Sequence, residues 1–344
     1  MKTEAKHHTH HETKHNTKLT SAEIANLWST YQSDSMGRCV LSYFLEKVED
    51  TEIRPVLEYT RSNCEKHIKM VTEIFHHEKY PIPHGFTNED VHVDAPRLYS
   101  DVFFLYYVKQ MARMGLVACS LALPMSARSD VRDFYNECLS SSAELENKVT
   151  KIQLSKGLLV RPPYISTPKE VDFVEKQSFL QGFFGDQRPL NAIEITHLFG
   201  NIQKNTLGKA LLIGFAQVAR TKEVREYMLR GKEIAMKHIE VFSSTLRDED
   251  LPAPMPWDDL VTDSTMPPFS DKLMMAHTNA LNSAGIGNYG AAIGMSMRTD
   301  LSTNYVRLTA EIMKYAEDGA NIMIDNAWLE QPPQTVNRDA LTNL

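Results

Sequence analysis

Residues 51–78 read TEIRPVLEYTRSNCEKHIKMVTEIFHHE, and residues 222–249 read KEVREYMLRGKEIAMKHIEVFSSTLRDE. In the first stretch Ile53, Leu57, Thr60, Cys64, His67/Ile68, Val71 and Ile74/Phe75 recur at intervals of three and four. Val224, Met228, Gly231, Ala235, His238/Ile239 and Phe242 do the same in the second. Apolar residues at that interval share one face of an α-helix, whereas a strand would alternate at two. The two stretches predict one kind of helix written twice, 171 residues apart, each with a Lys-His-Ile run on its apolar stripe.

The register extends in both directions. Upstream, Leu19, Glu23, Leu27, Gln32, Gly37, Leu41 and Phe44 fall on Leu190, Glu194, Leu198, Gln203, Gly208, Leu212 and Phe215. Downstream, Pro81, Pro83 and Pro96 fall on Pro252, Pro254 and Pro267. After a one-residue deletion Ser100-Asp101, Gly115, Met125-Ser126, Arg128, Asp130 and Pro162-Pro163 fall on Ser270-Asp271, Gly285, Met295-Ser296, Arg298, Asp300 and Pro332-Pro333. A register this long marks an internal duplication.

Each copy reads as four helices. In the first copy they are A over residues 20–48, B over 51–78, C over 96–123 and D over 129–157. Pro81 and Pro83 cannot continue helix B, Pro96 suits a first helical turn, and Ser129 with Asp130 suits the start of helix D. The A–B and C–D connections are short, so those pairs are antiparallel neighbours. The B–C connection, residues 79–95, can span about 55 Å, whereas a helix of this length measures roughly 40 Å. It can therefore run the whole bundle and deliver C parallel to B, the single long crossover of ferritin-like bundles. The expectation is an all-α tandem duplication of a ferritin-like four-helix bundle, each half burying its own apolar seam. Its segments are a disordered His-rich tail (1–18), copy 1 (19–165), a connector with a short docked helix built on Val171, Val174, Phe179 and Phe183 (166–189), copy 2 (190–334) and a C-terminal tail (335–344).

Composition narrows the function. Lys and Arg number 37 against 44 Asp and Glu, a formal charge of -7, so no net positive field favours nucleic acid. The apolar run at 116–123 is far below the roughly 18 residues of a membrane span, and the start of the chain lacks an apolar signal region. A soluble, cytoplasmic protein is expected. Cys39, Cys64, Cys119 and Cys138 all lie in copy 1, where copy 2 has Ala210, Ala235, Tyr289 and Leu308. Buried, reduced thiols are expected rather than a disulfide framework.

Together with the duplication, the runs Pro268-Phe269-Ser270-Asp271-Lys272, Met295-Ser296-Met297-Arg298-Thr299-Asp300 and Trp328-Leu329-Glu330-Gln331-Pro332-Pro333 carry a resemblance. Nearly everything after Lys18 resembles the duplicated ferritin-like family of Bacillus-type bacteria, catalogued as a domain of unknown function, some of whose members are labelled spore coat proteins. The resemblance implies a ferritin-like fold and a place in the spore or spore coat, with other coat proteins as partners. It supplies no catalytic residues.

A di-iron centre needs a carboxylate from each of two helices and a Glu-x-x-His pair from each of the other two. Here Cys64 and Ala235 stand three residues before His67 and His238, helix D has no histidine, and helix A offers the amides Gln32 and Gln203. A standard di-iron oxidase is therefore disfavoured. A single metal ion (Fe, Mn or Zn) could use His67, or His238 with His277, Glu311 and Glu317. The bland alternative is a core histidine hydrogen-bonded to a facing helix. Glu23 and Glu194 read as first-turn residues matched to the helix dipole. Asp101, Arg128 and Asp130, with Asp271, Arg298 and Asp300, form the best-repeated polar group, as a charged cluster or as helix caps. His7, His8, His10, His11 and His15 form either an incidental tail or a metal-binding arm. The favoured reading is a non-enzymatic structural or interaction protein. Its rivals are a metal-binding protein of oxidase or storage type and a binder of small apolar ligands.

Overall fold

Helix starts and stops follow local chemistry. The computed structural model describes residues 17–183, 187–255 and 257–342. Copy 1 holds α1 (Ser21–Lys47), α2 (Arg54–His77), α3 (Asp101–Ala122) and α4 (Ser129–Ser155). Copy 2 holds α5 (Ala192–Val218), α6 (Lys222–Arg247), α7 (Asp271–Met295) and α8 (Thr299–Asp325), and a short α9 (Arg338–Thr342) follows. The Thr20 hydroxyl accepts from Glu23 N–H while the Glu23 carboxylate accepts from Thr20 N–H, and Asn191 and Glu194 repeat this reciprocal cap. Lys79 (φ 54°) and Asp250 (φ 55°) turn the chain off α2 and α6 in left-handed backbone. The His-rich tail through Asn16 lies outside the described residues.

Asp101 accepts from Glu49 and Asp50 N–H (3.2 and 2.8 Å) at the α1–α2 turn, and Asp271 accepts from Arg220 and Thr221 N–H (both 3.0 Å) at the α5–α6 turn. Each third helix therefore begins at the end where the second begins, and the crossover has run the length of the bundle. Within each copy the first helix packs on the second, the third on the fourth, and the second on the fourth. The expected one-crossover bundle pairing is present.

Two features differ from the expectation. Helix C starts at Asp101 rather than Pro96, because residues 96–100 stay extended and the Ser100 hydroxyl accepts from Phe103 N–H. The reason lies in the other copy. Ser100 N–H donates to Leu260 (2.9 Å) and Thr262 N–H to Leu98 (2.9 Å), while Ser270 N–H donates to Asp90 (3.0 Å) and His92 N–H to Pro268 (2.8 Å). The deletion falls before Pro96 and not after it, because the short turns Asn88–Asp90 and Asp258–Leu260 are already 170 residues apart. Residues 90, 92, 98 and 100 thus correspond to 260, 262, 268 and 270, and the crossovers pair reciprocally, as an approximate two-fold axis requires.

The second difference is the core. The largest group of buried apolar residues runs across both copies, from Leu41, Phe44 and Phe104 to Leu211, Phe215 and Phe269, and two smaller groups lie one within each copy. The expectation of one separate core per half treats the inward faces of α3 and α5 as if they ended at the bundle edge. They pack on each other instead. Tails are exchanged as well: Gln32 donates to Glu330 (2.6 Å), and Gln203 to the carbonyl of the equivalent residue Val160 (3.4 Å).

Among its described residues the connector contains no docked α-helix. It carries one short turn, Gln177–Leu180, and leaves Val171 and Phe173 exposed. The step from Val174 to Phe179 breaks the three-and-four spacing a helical face needs. It is fixed at its end by Arg188, which lies over the Phe179 ring (4.1 Å) and bonds Glu194 (2.7 Å).

Tyr99 marks how closely the copies approach. Its hydroxyl donates to the Leu211 carbonyl (2.8 Å), and a Cβ at Gly214 would stand 2.3 Å from it. Gly214→Ala should lower the unfolding free energy by about 1–3 kcal/mol through overpacking. Gly208, on the same helix with nothing within 4 Å of a Cβ, should tolerate alanine with no loss or a gain of about 0.5–1 kcal/mol. Chemical denaturation compares the two variants, and equal effects would show that Tyr99 is not wedged against α5.

Candidate functional site

The repeated charged residues split between the two ends of each bundle. Asp101 and Asp271 hold the turns described above. Arg128 bonds Glu78 (2.6 Å) and Asp130 (2.5 Å), and Arg298 bonds Glu249 (2.9 Å) and Asp300 (2.8 Å), at the opposite end beside the C–D turn. Glu23 and Glu194 complete that end. Each is fully buried, and each accepts from the two backbone N–H groups of the turn, Ala127 and Arg128 (both 2.9 Å) or Met297 and Arg298 (3.2 and 3.1 Å). Their burial opposes ionisation, but the converging donors win and both carboxyls stay below their ordinary range. These groups clamp helix ends and do not form one cluster.

The histidines lead elsewhere. A cavity of about 350 Å³ is lined by helices of both copies. At its copy 1 side stands His67, whose Nδ1 is 3.1 Å from Asp34 Oδ2. Burial alone would depress its pKa, but the hydrogen bond and charge of Asp34 carry it above the ordinary value. At the copy 2 side stands His238, with Nδ1 3.0 Å from the Tyr289 hydroxyl and Nε2 3.1 Å from Glu311. Here burial wins over Glu311, which Lys237 also holds (2.9 Å), and the ring is pushed below its ordinary pKa. The histidine is repeated, while its carboxylate comes from α1 in one copy and α8 in the other. The equivalents, Asn205 and Ser141, are neutral.

His277 sits between them, at the two-fold position opposite its own equivalent: its Nε2 is 3.4 Å from the Tyr107 hydroxyl. Burial drops its pKa to about 4, and its Nδ1 has no partner among the described residues. The five metal candidates therefore do not converge. His238 meets Glu311, His277 faces copy 1, Glu317 is exposed on α8, and His67 is in the other copy. Among the described residues no group of three or more His, Cys, Asp or Glu side chains is placed to hold a metal ion. The spacing that suggests the set places Glu317 on the outer face of α8.

Several cavity residues are not evident from the sequence. Lys204 on α5 lines the wall without a carboxylate partner among the described residues, and burial with the nearby Arg113 charge lowers its pKa to about 8. Asp34 reads as one polar residue among several on α1. Cys64, Cys119 and Cys138 line the copy 1 side, and the only advance signal is that every cysteine belongs to that copy.

The chain belongs to DUF3231, a family of proteins of unknown function, which it matches twice, over residues 8–171 and 178–341. No curated protein matches the chain. One solved structure that matches, a "putative spore coat protein" from Bacillus halodurans C-125, is 18% identical with a TM-score of 0.40 over 44% of this chain and 98% of that one. No described helix is long and apolar enough to cross a membrane.

The two environments predict opposite titrations. His67, raised, should titrate above about 6.5, and His238 and His277 below it. A raised folded pKa makes the His67–Asp34 pair stabilising below the unfolded value and lost as pH rises through the folded one. Asp34→Asn should bring the His67 midpoint below about 6.5 and remove that contribution. Ring-proton chemical shifts against pH read all three, and a His67 midpoint unchanged by Asp34→Asn would refute the assignment.

Proposed function

We propose that the protein is a non-enzymatic binding protein that holds a small amphipathic anion, an alkyl carboxylate being the simplest, between its two bundles. The observation that carries this reading is the cavity of about 350 Å³ with the unpartnered Lys204 on its mainly apolar wall. That volume lies within the roughly 300–1,000 Å³ of small-molecule sites. A cation without a carboxylate among the described residues in such a wall favours a ligand that brings its own negative charge, because the half-buried ammonium is otherwise uncompensated. The orphan Nδ1 of His277 offers a second polar contact. We read each one-crossover bundle as ferritin-like, with an interior suited to a ligand because the second-helix histidines lack the glutamates of a di-iron site. The resemblance of the sequence adds spore or spore-coat association to the proposal, which fractionation of spores against growing cells tests.

Calorimetric titration with dodecanoate and with dodecanol separates charge recognition from apolar burial. Lys204→Met should weaken dodecanoate at least tenfold, about 1.4 kcal/mol, and leave dodecanol nearly unchanged. Because Lys204 loses its proton near pH 8, dodecanoate affinity should fall as pH rises through that value. Gly208→Leu, which projects into open space on the cavity wall, should block both ligands in a folded protein. Failure of either ligand to bind, or Gly208→Leu binding as wild type, would sink the proposal. A stoichiometric Fe, Mn or Zn removed by chelator would favour the metal-binding rival.

A further inference from the structure

The copy 1 side of the cavity holds chemistry that ligand binding does not use. Cys119 on α3 and Cys138 on α4 are buried in the same apolar cluster, and both line the cavity beside His67 and Asp34. α3 and α4 are packed neighbours, so the two sulfurs are held together by the bundle itself. Asp34 sits at Nδ1 of His67, which assigns that nitrogen as its donor and leaves Nε2 to exchange a proton. Four helices of one copy thus converge an acid, an imidazole and two thiols on one wall.

The two thiols are not alike. Cys138 donates its S–H to Cys119, which lowers the Cys119 pKa; burial opposes this and the His67 charge assists it. The same contact, with burial, raises the Cys138 pKa. Of the two, Cys119 is therefore the more readily ionised. The remaining cysteines have other surroundings: Cys39 donates to the Thr87 carbonyl (3.2 Å), and Cys64, on the same cavity wall, has its thiol raised by burial and by Asp34. Copy 2 places Tyr289 and Leu308 at the positions of Cys119 and Cys138, so only one end of the molecule has this pair.

We propose that Cys119 and Cys138 form a hydroperoxide-reactive dithiol, with Cys119 oxidised first, Cys138 resolving it, and His67 oriented by Asp34 to transfer the proton. In the first step the Cys119 thiolate attacks the distal peroxide oxygen. The S–O bond forms and the O–O bond breaks, sulfur is oxidised to sulfenic acid, and the leaving oxygen takes the proton of His67 and departs as water, or as an alcohol from an alkyl hydroperoxide. In the second step the Cys138 sulfur attacks the sulfenic sulfur. The S–S bond forms, the S–O bond breaks, and hydroxide leaves with the Cys138 proton as water. The oxidant is the hydroperoxide, and the product is one intramolecular disulfide between α3 and α4. This chemistry stands whether or not an alkyl carboxylate binds the cavity.

The test treats the full-length protein with hydrogen peroxide, blocks remaining thiols and maps the peptides by mass spectrometry. The expected product is a Cys119–Cys138 disulfide with Cys39 and Cys64 still open to alkylation, and with Cys138→Ser a dimedone adduct on Cys119. His67→Gln should slow the first step about tenfold or more at neutral pH and remove its pH dependence, while Cys39→Ser leaves the rate unchanged. A purely structural His67 would alter the melting temperature and leave the pH profile intact. Wild-type protein oxidised no faster at Cys119 than at Cys39 or Cys64, or a disulfide with another partner, would overturn the proposal. So would a folded His67→Gln variant that keeps the wild-type rate and pH profile.

Discussion

The rest of the structure depends on the reciprocal pairing of the two crossovers. A long crossover has many backbone donors and acceptors, and those removed from water must find partners. Among the described residues neither crossover pairs with an extended segment of its own copy. Each finds one in the other, through four N–H to carbonyl bonds of 2.8–3.0 Å. That pairing holds residues 96–100 extended, sets the start of α3, and brings Tyr99 against α5. It also closes the large apolar group that runs from Phe44 and Phe104 to Phe215 and Phe269. The halves are consequently one folded body with a shared centre, and the cavity between them follows from that centre being less than fully packed.

Duplication made the centre, and divergence made it uneven. Apart from the repeated His67/His238 and Tyr135/Tyr305, polar positions of the cavity differ between the copies: Asp34 and Asn205, Cys119 and Tyr289, Cys138 and Leu308, Ser141 and Glu311. Each change preserves a satisfied histidine by a different route. His67 takes its partner from α1, and His238 takes its partners from α7 and α8. The resulting pKa shifts have opposite sign although burial acts the same way on both, because Glu311 is shared with Lys237 while Asp34 has no such competing ion pair among the described residues. The end clamps are conserved between copies in the opposite sense. Glu23 and Glu194 make the same contacts with the same turn.

Helices, their order and the duplication are legible in the sequence because each depends on local spacing: apolar residues at three and four and prolines after α2. The start read at Ser129 is right to the residue, although Arg128 stands at the cap position of α4 and no side chain closes it. The burial of His67 and His238 follows from the same spacing. What the sequence does not disclose is tertiary. Nothing in the Pro96 run distinguishes a helical first turn from an extended segment waiting for a second crossover. The inward face of α5 looks like any bundle face until α3 is laid upon it. Lys204 reads as an ordinary solvated lysine, and Cys119 and Cys138 lie 19 residues apart on different helices. Their meeting depends on how α3 and α4 rotate against each other, which no pattern along the chain records.

Tyr107 and His277 show why joining the copies in one chain matters physically. They occupy equivalent positions on either side of the approximate two-fold axis and face each other at 3.4 Å. In a dimer of identical subunits the same residue would meet itself there. Two neutral histidines in that orientation could satisfy each other only if they adopted different tautomers, and two tyrosines would place two bulky phenols at one point of the axis. Fusion removes the constraint: a hydroxyl can stand opposite a ring nitrogen, and Gly214 can receive Tyr99 while its equivalent Tyr43 packs edge-on against Phe269 (5.3 Å). The same freedom lets the cavity carry thiols and a raised histidine at one end and a phenol with a lowered histidine at the other. A symmetric dimer would have to present both ends alike.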